Sequence, residues 1–218
     1  MCKLYSHPLV CGFTTNPTLM RKCGITDYEG FARETVAAIP DRPISFEVFS
    51  DEFAEMERQA VKIAGWGANI YAKIPVTNTR GESAIPLICR LAQQGVKLNV
   101  TALMTLEQVQ EVSHAMKGCP AGYISVFAGR VADTGRDPVP LMREAVELLA
   151  DFSHLELIWA SPRELLNVFQ ADAIGCHVIT VTNELLSKFS LVGKDLNEYS
   201  LETVKMFRDD AVKAGFQI

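Results

Sequence analysis

The sequence is poor in several features that would assign it to a particular class of protein. Basic residues do not dominate, since 21 Lys and Arg stand against 26 Asp and Glu, and this argues against a nucleic-acid partner. No apolar run is long enough to span a membrane, and the N-terminus has no apolar signal-peptide core. The six cysteines contain no C-x-x-C pair and form no metal-type cluster with the four histidines. We therefore expect a cytoplasmic protein with free thiols and with no membrane partner.

What the sequence does contain is a regular alternation of short β-type runs with longer helical patterns. The strand patterns cover residues 12–16, 44–49, 69–76, 98–104, 123–129, 155–161 and 176–182. The helical patterns cover residues 27–39, 51–66, 82–94, 106–116, 139–152, 162–173 and 200–214. Thr105 and Gln108 predict a capping box, and Asn183 predicts the cap of a short helix. The alternation predicts parallel strands in a single domain of residues 1–218.

The two faces of the predicted strands favour a (β/α)₈ TIM barrel over a doubly wound sheet. A doubly wound sheet is covered by helices on both faces, so its strands are apolar throughout. Here one face is apolar on each of four consecutive strands, and on the fourth predicted strand that face comprises Val100 and Ala102. The opposite face carries polar residues, which period-2 alternation places on one common side: Glu47, Lys73, Asn99, Thr101 and Ser125. Such a face predicts a site at the C-terminal mouth of a barrel.

Lys73 is the first candidate for catalysis. A lysine in the middle of a strand between Ala72 and Ile74 is shielded from bulk water, and burial favours the neutral amine that can form a Schiff base with a carbonyl substrate. Glu47 could shuttle protons during that reaction, and Thr101 could hold the water involved. Spacing alone also permits a snorkelling lysine or a structural ion pair between Lys73 and Glu47.

Two arginines are candidates for binding an anion. Arg130 and Arg163 each follow the end of a predicted strand, where a guanidinium group can hold a phosphate through two hydrogen bonds. Ser161 and the start of the helix after it would add further donors. Taken one at a time, each arginine fits an ordinary solvated surface position better than a phosphate site.

Five segments together resemble the transaldolase family. They are T-T-N-P-T at residues 14–18, A-K-I-P-V-T at residues 72–77, L-N-V-T at residues 98–101, S-V-F-A-G-R at residues 125–130 and A-S-P-R at residues 160–163. The resemblance implies a barrel enzyme of the non-oxidative pentose phosphate pathway. Such an enzyme moves a dihydroxyacetone unit from a ketose phosphate, fructose 6-phosphate or sedoheptulose 7-phosphate, to an aldose phosphate, without a metal or cofactor.

The same resemblance implies a role for each site residue. Lys73 would be the Schiff-base lysine, Glu47 the proton-shuttling carboxylate and Thr101 the holder of the catalytic water. The implied substrate-binding residues are Asn16 and Asn99 for hydroxyls, Arg130, Arg163, Ser161 and Ser125 for phosphate, and Phe127. The compact branch of the family includes fructose-6-phosphate aldolase and tends to carry Gln and Tyr where this sequence has Glu47 and Phe127. This favours a transaldolase, with the aldolase as the alternative.

One feature of the family has no counterpart in the sequence. The family has a first strand that ends in an aspartate, but only eleven residues precede Gly12 and none of them is acidic. A parallel crossover alone needs about a dozen residues. We therefore count seven strands, expect the first strand to be missing, and expect residues 1–11 to be the tail of the first helix. An earlier start site would restore the strand.

Other functions remain open at this point. A deoxyribose-phosphate-type lyase on the same barrel would share the lysine and the phosphate site, but not the T-T-N-P segment. A barrel without its first strand could also be an inactive subunit of an oligomer. The compact branch is often decameric, and residues 201–216 could reach a neighbouring subunit, so we expect a homo-oligomer that binds sugar phosphates.

Overall fold

The computed structural model describes residues 1–217. The chain forms two compact units, Met1–Thr180 and Val181–Ile218. The first unit contains all the strands, and the second contains only helices. The single domain expected from the sequence stays a prediction, and the two units are described separately below.

The first unit is built on one sheet of seven parallel strands. They are β1 (Phe13–Thr14), β2 (Ile44–Glu47), β3 (Ile70–Pro75), β4 (Leu98–Leu103), β5 (Gly122–Val126), β6 (Leu155–Trp159) and β7 (Val178–Ile179). Each strand pairs with the next one along the chain, in the order β1 to β7, and within residues 1–217 no pairing joins β7 to β1. All seven predicted strands and their parallel direction are confirmed, and the order is that of a (β/α)₈ barrel. The expected loss of a first strand stays a prediction.

One short helix precedes β1, and the other helices of this unit follow strands β1 to β6. They are α1 (Cys2–Tyr5), α2 (Pro17–Lys22), α3 (Tyr28–Ala38), α4 (Phe53–Ala64), α5 (Ile85–Gln93), α6 (Leu106–Ala115), α7 (Ala128–Asp133), α8 (Pro138–Leu149) and α9 (Leu166–Ala173). The capping box of Thr105 and Gln108 at the start of α6 is confirmed. The helices α2 and α7 were not expected, because six residues are too few to show a helical period.

Among the boundaries that differ from the sequence prediction, two have a clear local reason. The strand expected over residues 123–129 ends at Val126, because Phe127 turns the backbone and becomes the N-cap of α7. The helix expected from residue 162 begins at Leu166. The side-chain oxygen of Asn167 accepts from the backbone N–H groups of Arg163 and Glu164, which holds these two residues in a turn before the helix.

The outward face of the sheet packs against the helices and forms the core. In β2 and β3 the buried apolar residues are those expected from alternation, such as Phe46 and Ile74, both fully buried. In β4 the prediction that Val100 and Ala102 share the apolar face is wrong, since Leu103 lies in the core with Val100. The register with β5 shifts between Val100 and Leu103, and Ala102 has φ of 68°. This irregularity adds one residue to β4, so the alternation slips by one position.

The second unit contains α10 (Asn183–Ser187), a 3₁₀ turn (Lys188–Leu191) and α11 (Leu196–Ala214). The short helix expected before Lys188 is confirmed, but its N-cap is Thr182 and not Asn183. Helix α11 begins four residues earlier than expected. The Asp195 carboxylate caps it by accepting from two backbone N–H groups, and Gly215 ends it at φ of 69°. Among the helices of residues 1–217, none combines the length and the apolar character needed to cross a membrane.

Candidate active site

Lys73 and Glu47 form a partly buried ion pair on the inner face of the sheet. The two residues are register partners on the adjacent strands β2 and β3, and Lys73 Nζ lies 3.1 Å from Glu47 Oε2. Nζ also donates to the backbone carbonyl of Thr15 at the end of β1, at 3.2 Å. Lys73 is only 7% exposed. The amine is therefore held by three neighbouring strands, beside a carboxylate that can exchange protons with it.

A tyrosine that the sequence analysis did not identify fixes the backbone of Glu47. The Tyr28 hydroxyl accepts from the Glu47 backbone N–H at 2.9 Å and donates to the Glu47 carbonyl at 3.2 Å. Its ring packs edge-on against Phe46 and Phe49, and burial raises the pKa of the phenol. Tyr28 lies at the first position of α3, where nothing in its spacing relates it to β2, so no sequence signal could have revealed this contact.

Asn99 lies at the centre of a buried polar chain. Its side-chain amide donates to Ser45 Oγ at 2.9 Å, and its oxygen accepts from Ser125 Oγ at 2.7 Å. All three residues are buried, and Lys73 is the register partner of Asn99 on β3. The structure thus brings together Asn99 and Ser125, as the alternation predicted, and adds Ser45 from β2. The two hydroxyl contacts fix the orientation of the amide.

Thr101 is the last polar residue on the inner face of β4. It is 2% exposed, and its carbonyl accepts from the backbone N–H of Val76 at 3.0 Å, which ties the end of β4 to β3. Its hydroxyl is buried and has no hydrogen-bond partner within the part of the chain that the structure describes. A buried hydroxyl without a partner is costly unless a water or a ligand reaches it.

The arginines lie at the rim, beyond the carboxyl ends of β5 and β6. Arg130 is exposed on α7, with its guanidinium carbon 5.8 Å from the centre of the Phe127 ring. Arg163 is also exposed and forms a two-point ion pair with Asp133, in which Nε lies 2.8 Å from Oδ1. This contact holds the pKa of the Asp133 carboxyl below its usual range. Asp133 gives no signal in the sequence, because its position depends on the short helix α7.

Gly129 and Ser161 bring the two rim segments into direct contact. A Cβ atom placed on Gly129 would lie 1.6 Å from the Ser161 carbonyl oxygen, so no other residue fits there without movement of the backbone. Ser161 itself has φ of 58°, which is unusual for a residue other than glycine. The contact fixes the spacing between Arg130, one residue after Gly129, and the segment that carries Arg163.

Asn16 has a structural role in addition to the one expected from the resemblance. It is the N-cap of α2, and its side-chain oxygen accepts from the Leu19 backbone N–H at 2.8 Å. Pro17 follows at the first helical position, where its missing N–H is no loss. This cap leaves the amide nitrogen of Asn16 as the group that could meet a substrate.

A surface cleft of about 390 Å³ lies beside the ends of β2 and β3. Its lining includes Pro17 from the start of α2, Val48 and Phe49 after β2, and Thr77 and Thr79 after β3. Among residues 1–217, no group of three or more His, Cys, Asp or Glu side chains is placed to hold a metal ion.

Comparison with a solved structure shows similarity of fold alone. A mandelate oxidase variant with an FMN adduct superposes with a TM-score of 0.51 and 14% sequence identity, over 68% of this chain and 50% of the oxidase. Identity at that level carries no information about activity.

Comparison with known sequences is more specific. A probable transaldolase of Dehalococcoides mccartyi is 34% identical over 181 residues, which are 82% of this chain and 79% of the relative. A probable transaldolase of Thermoanaerobacter is 34% identical over 211 residues, 96% of this chain and 91% of the relative. The profile of the transaldolase/fructose-6-phosphate aldolase family matches residues 1–218. The chain belongs to this family.

Proposed function

We propose that the protein is a transaldolase that works through a Schiff base on Lys73, as part of the non-oxidative pentose phosphate pathway in the cytoplasm. The observation that carries this proposal is the buried Lys73 amine, 3.1 Å from the Glu47 carboxylate on the next strand. An amine nucleophile needs a nearby group that can take and return protons, and Glu47 meets that need. The relatives named probable transaldolase support the same activity.

The first half of the reaction builds the Schiff base. Glu47 first takes a proton from Lys73. The neutral amine then adds to the C2 carbonyl of a ketose phosphate, so that a C–N bond forms and the carbonyl oxygen takes a proton from the nitrogen. Glu47 then delivers a second proton to that oxygen through a water held by Thr101. The C–O bond breaks, water leaves, and a protonated imine remains.

The second half moves the three-carbon unit. The Glu47 carboxylate takes the proton of the C4 hydroxyl through the same water, the C3–C4 bond breaks, and its electrons flow into the imine to give an enamine. The aldose phosphate leaves. The enamine carbon then attacks the aldehyde carbon of the acceptor, whose oxygen takes the proton from Glu47, and addition of water to the imine releases the new ketose phosphate and returns Lys73 as the free amine. In this scheme Asn16 and Asn99 bind the substrate hydroxyls, and Phe127 packs beside the substrate.

The rim supplies the phosphate site in this proposal. Arg130 and Arg163 are exposed and follow neighbouring parallel strands, which suits two-point binding of a phosphate. The Ser161 hydroxyl would add a donor, and Ser125, predicted for the same role, would have to give up its hydrogen bond to Asn99 to do so. Fructose 6-phosphate or sedoheptulose 7-phosphate would be the donor substrate, and an aldose phosphate such as erythrose 4-phosphate the acceptor.

Borohydride trapping tests the covalent step. Reduction in the presence of fructose 6-phosphate should add a hexose-phosphate or dihydroxyacetone mass to the peptide that contains Lys73. Lys97 is a matched internal control, because it precedes β4 but its amine donates to the Ala68 carbonyl at 2.7 Å. Labelling at Lys97 or Lys62, or no labelling at all, would contradict the proposal.

Transfer and cleavage can be separated by the dependence on an acceptor. Glu47 and Phe127 are the residues that favour transfer. Turnover of fructose 6-phosphate should require erythrose 4-phosphate, and Phe127→Tyr should increase release of free dihydroxyacetone. Release of dihydroxyacetone by the unmodified protein at a comparable rate without an acceptor would favour a fructose-6-phosphate aldolase.

We also propose that the protein acts as a homo-oligomer, and a decamer is the form that the resemblance to the compact branch implies. Helix α11 and the residues after it expose apolar side chains: Leu201, Val204, Phe207, Val212 and Phe216. Apolar surface of this kind is typical of a protein–protein contact. Light scattering after size-exclusion chromatography should give a mass several times 24.0 kDa, and Val204→Glu with Phe207→Glu should reduce it. A monomeric mass for the unmodified protein would rule this out.

A further inference from the structure

We infer that Ala102 is a positioning residue, whose left-handed backbone conformation turns the Thr101 hydroxyl into the active site. The inference rests on the proposed function, in which Thr101 holds the water that carries protons between Glu47 and the substrate. It assigns a role to a residue whose side chain has no polar or reactive group.

The backbone of Ala102 is in a conformation that a residue other than glycine seldom adopts. Its φ is 68°, inside a strand, and among the residues described only Ser161 shares a positive φ without being glycine. Such a conformation persists only where the surrounding structure enforces it. The flanking residues provide that enforcement, since the Thr101 carbonyl accepts from Val76 at 3.0 Å and the Leu103 carbonyl accepts from Phe127 at 2.7 Å. Ala102 lies between these two hydrogen-bonded residues and takes the backbone conformation that fits the extra residue of β4 between them.

The consequence is a change of face at the point where β4 reaches the site. With regular alternation, Thr101 and Leu103 would lie on the same face of the sheet. Thr101 would then point into the core with Leu103, or Leu103 would point into the active site with Thr101. The extra residue at Ala102 separates them, so that Leu103 is fully buried in the core and Thr101 keeps the inner face.

The state of the Thr101 hydroxyl shows why this separation matters. The residue is 2% exposed, yet within residues 1–217 its oxygen has no hydrogen-bond partner. A threonine chosen only for strand propensity would not need this arrangement. A buried hydroxyl that lies on the inner face and has no partner among the described residues suits the binding of one water molecule.

Glycine and valine at position 102 test the inference in opposite directions. Glycine adopts φ of 68° without strain, so Ala102→Gly should keep the turn and most of kcat. Valine at a positive φ is a severe outlier, so Ala102→Val should force the backbone out of the turn and lower kcat about 100-fold, with KM nearly unchanged. Ala37→Gly in α3 is the control for the glycine substitution. Ala37 has ordinary helical backbone angles and no strain that glycine could release, so this substitution should lower Tm and leave kcat unchanged.

A double-mutant cycle separates positioning from general damage. Thr101→Val removes the hydroxyl and keeps the shape of the side chain. If Ala102 acts through Thr101, Ala102→Val should have little effect once the Thr101 hydroxyl is gone. The double variant should then have a kcat per folded molecule within about threefold of that of Thr101→Val alone. Hydrogen–deuterium exchange should also speed up in Ala102→Val at the peptides that contain Val76 and Phe127, whose amides donate to the two anchors.

Three results would overturn the inference: a wild-type kcat for Ala102→Val, an equal loss from Ala102→Val in both Thr101 backgrounds, or unchanged exchange at both peptides. Failure of the proposed function would look different. The unmodified protein would then show no borohydride trapping, while the exchange measurement would still decide whether Ala102 sets the end of β4.

Discussion

The inner face of β2–β4 and the rim after β5 and β6 form the two halves of the candidate site, and they are built differently. On the inner face, Glu47, Lys73 and Asn99 are strand residues whose positions follow from strand register. At the rim, Arg130 belongs to the short helix α7 and Arg163 to a turn before α9. The inner groups are largely buried and bond to one another, whereas both arginines are exposed.

The difference shows how each half is prepared for a substrate. The inner face is assembled before any ligand arrives, because each polar group except the Thr101 hydroxyl already has a partner in the strands around it. The rim is only partly assembled, since Arg163 bonds to Asp133 through two of its nitrogens. A phosphate would have to share Arg163 with that carboxylate or displace it. In the proposed function, the sheet would thus fix the reacting groups and the loops would bind the substrate, which is the usual division in barrel enzymes.

The largest effect should come from the lysine on the inner face. Lys73→Met removes the only amine that the proposal uses, so turnover of fructose 6-phosphate with erythrose 4-phosphate should fall below detection. Lys97→Met is the control and should keep normal rates, because Lys97 lies outside the site and contacts the Ala68 carbonyl. Turnover by Lys73→Met at more than a trace of the normal rate would show that the inner face does not supply the nucleophile.

The next effect concerns the carboxylate beside that lysine. Glu47→Gln keeps the shape of the side chain and removes proton transfer, so kcat should fall about 100-fold or more, while KM changes little. Glu57→Gln in α4 is a control, since Glu57 pairs with Arg90 at 2.8 Å away from the sheet interior. A rise in KM at constant kcat would mean that Glu47 binds substrate and does not move protons.

The inner face was largely predictable from the sequence because strand geometry has a fixed period. Two-residue alternation placed Glu47, Lys73 and Asn99 together without knowledge of any other contact. It failed at Ala102, where one extra residue shifts the phase, and a pattern of alternating residues cannot show an irregularity whose cause lies in the hydrogen bonds of two other strands. It also gave no indication of Tyr28, which reaches β2 from a helix.

A phosphate-binding role for the rim could be predicted only through the family resemblance, and it stays a prediction. Spacing placed Arg130 and Arg163 after strand ends, but it could not distinguish a phosphate site from a solvated surface. The partner of Arg163 is Asp133, thirty residues away along the chain, and the contact depends on how α7 packs beside the turn. Such contacts arise from tertiary structure and leave no local pattern.

A smaller effect is expected from the rim arginines. Arg163→Ala and Arg130→Ala should each raise KM for fructose 6-phosphate about ten- to a hundredfold, since a charge-assisted hydrogen bond contributes about 1.5–3 kcal/mol. KM for an unphosphorylated analogue should change much less. Arg136→Ala is a nearby control, because Arg136 bonds to the Thr134 hydroxyl. Equal effects on phosphorylated and plain sugars would show that the rim does not bind phosphate.

The smallest effect tests whether the rim has a rigid part of its own. Gly129→Ala places a methyl group 1.6 Å from the Ser161 carbonyl oxygen, so one of the two backbone segments must move. Overpacking of this kind costs about 1–3 kcal/mol, and each kcal/mol lowers Tm by about 2–4 °C in a domain of this size. Calorimetry should show that decrease. The displaced Ser161 segment should also raise KM for phosphorylated substrates several-fold, with kcat nearly constant.

Gly118→Ala is the matched control for this substitution. The nearest atom to a Cβ on Gly118 lies 3.5 Å away, an ordinary contact, so Tm and KM should both stay close to normal. A lower Tm with unchanged KM for Gly129→Ala would show that the Gly129–Ser161 contact supports the fold alone. The arginines would then reach phosphate without help from the backbone beneath them. A Tm equal to that of the unmodified protein would show that the backbone of the rim moves to accommodate a methyl group at little cost in stability. The rim would then differ even more from the inner face, where the polar groups are already held by one another.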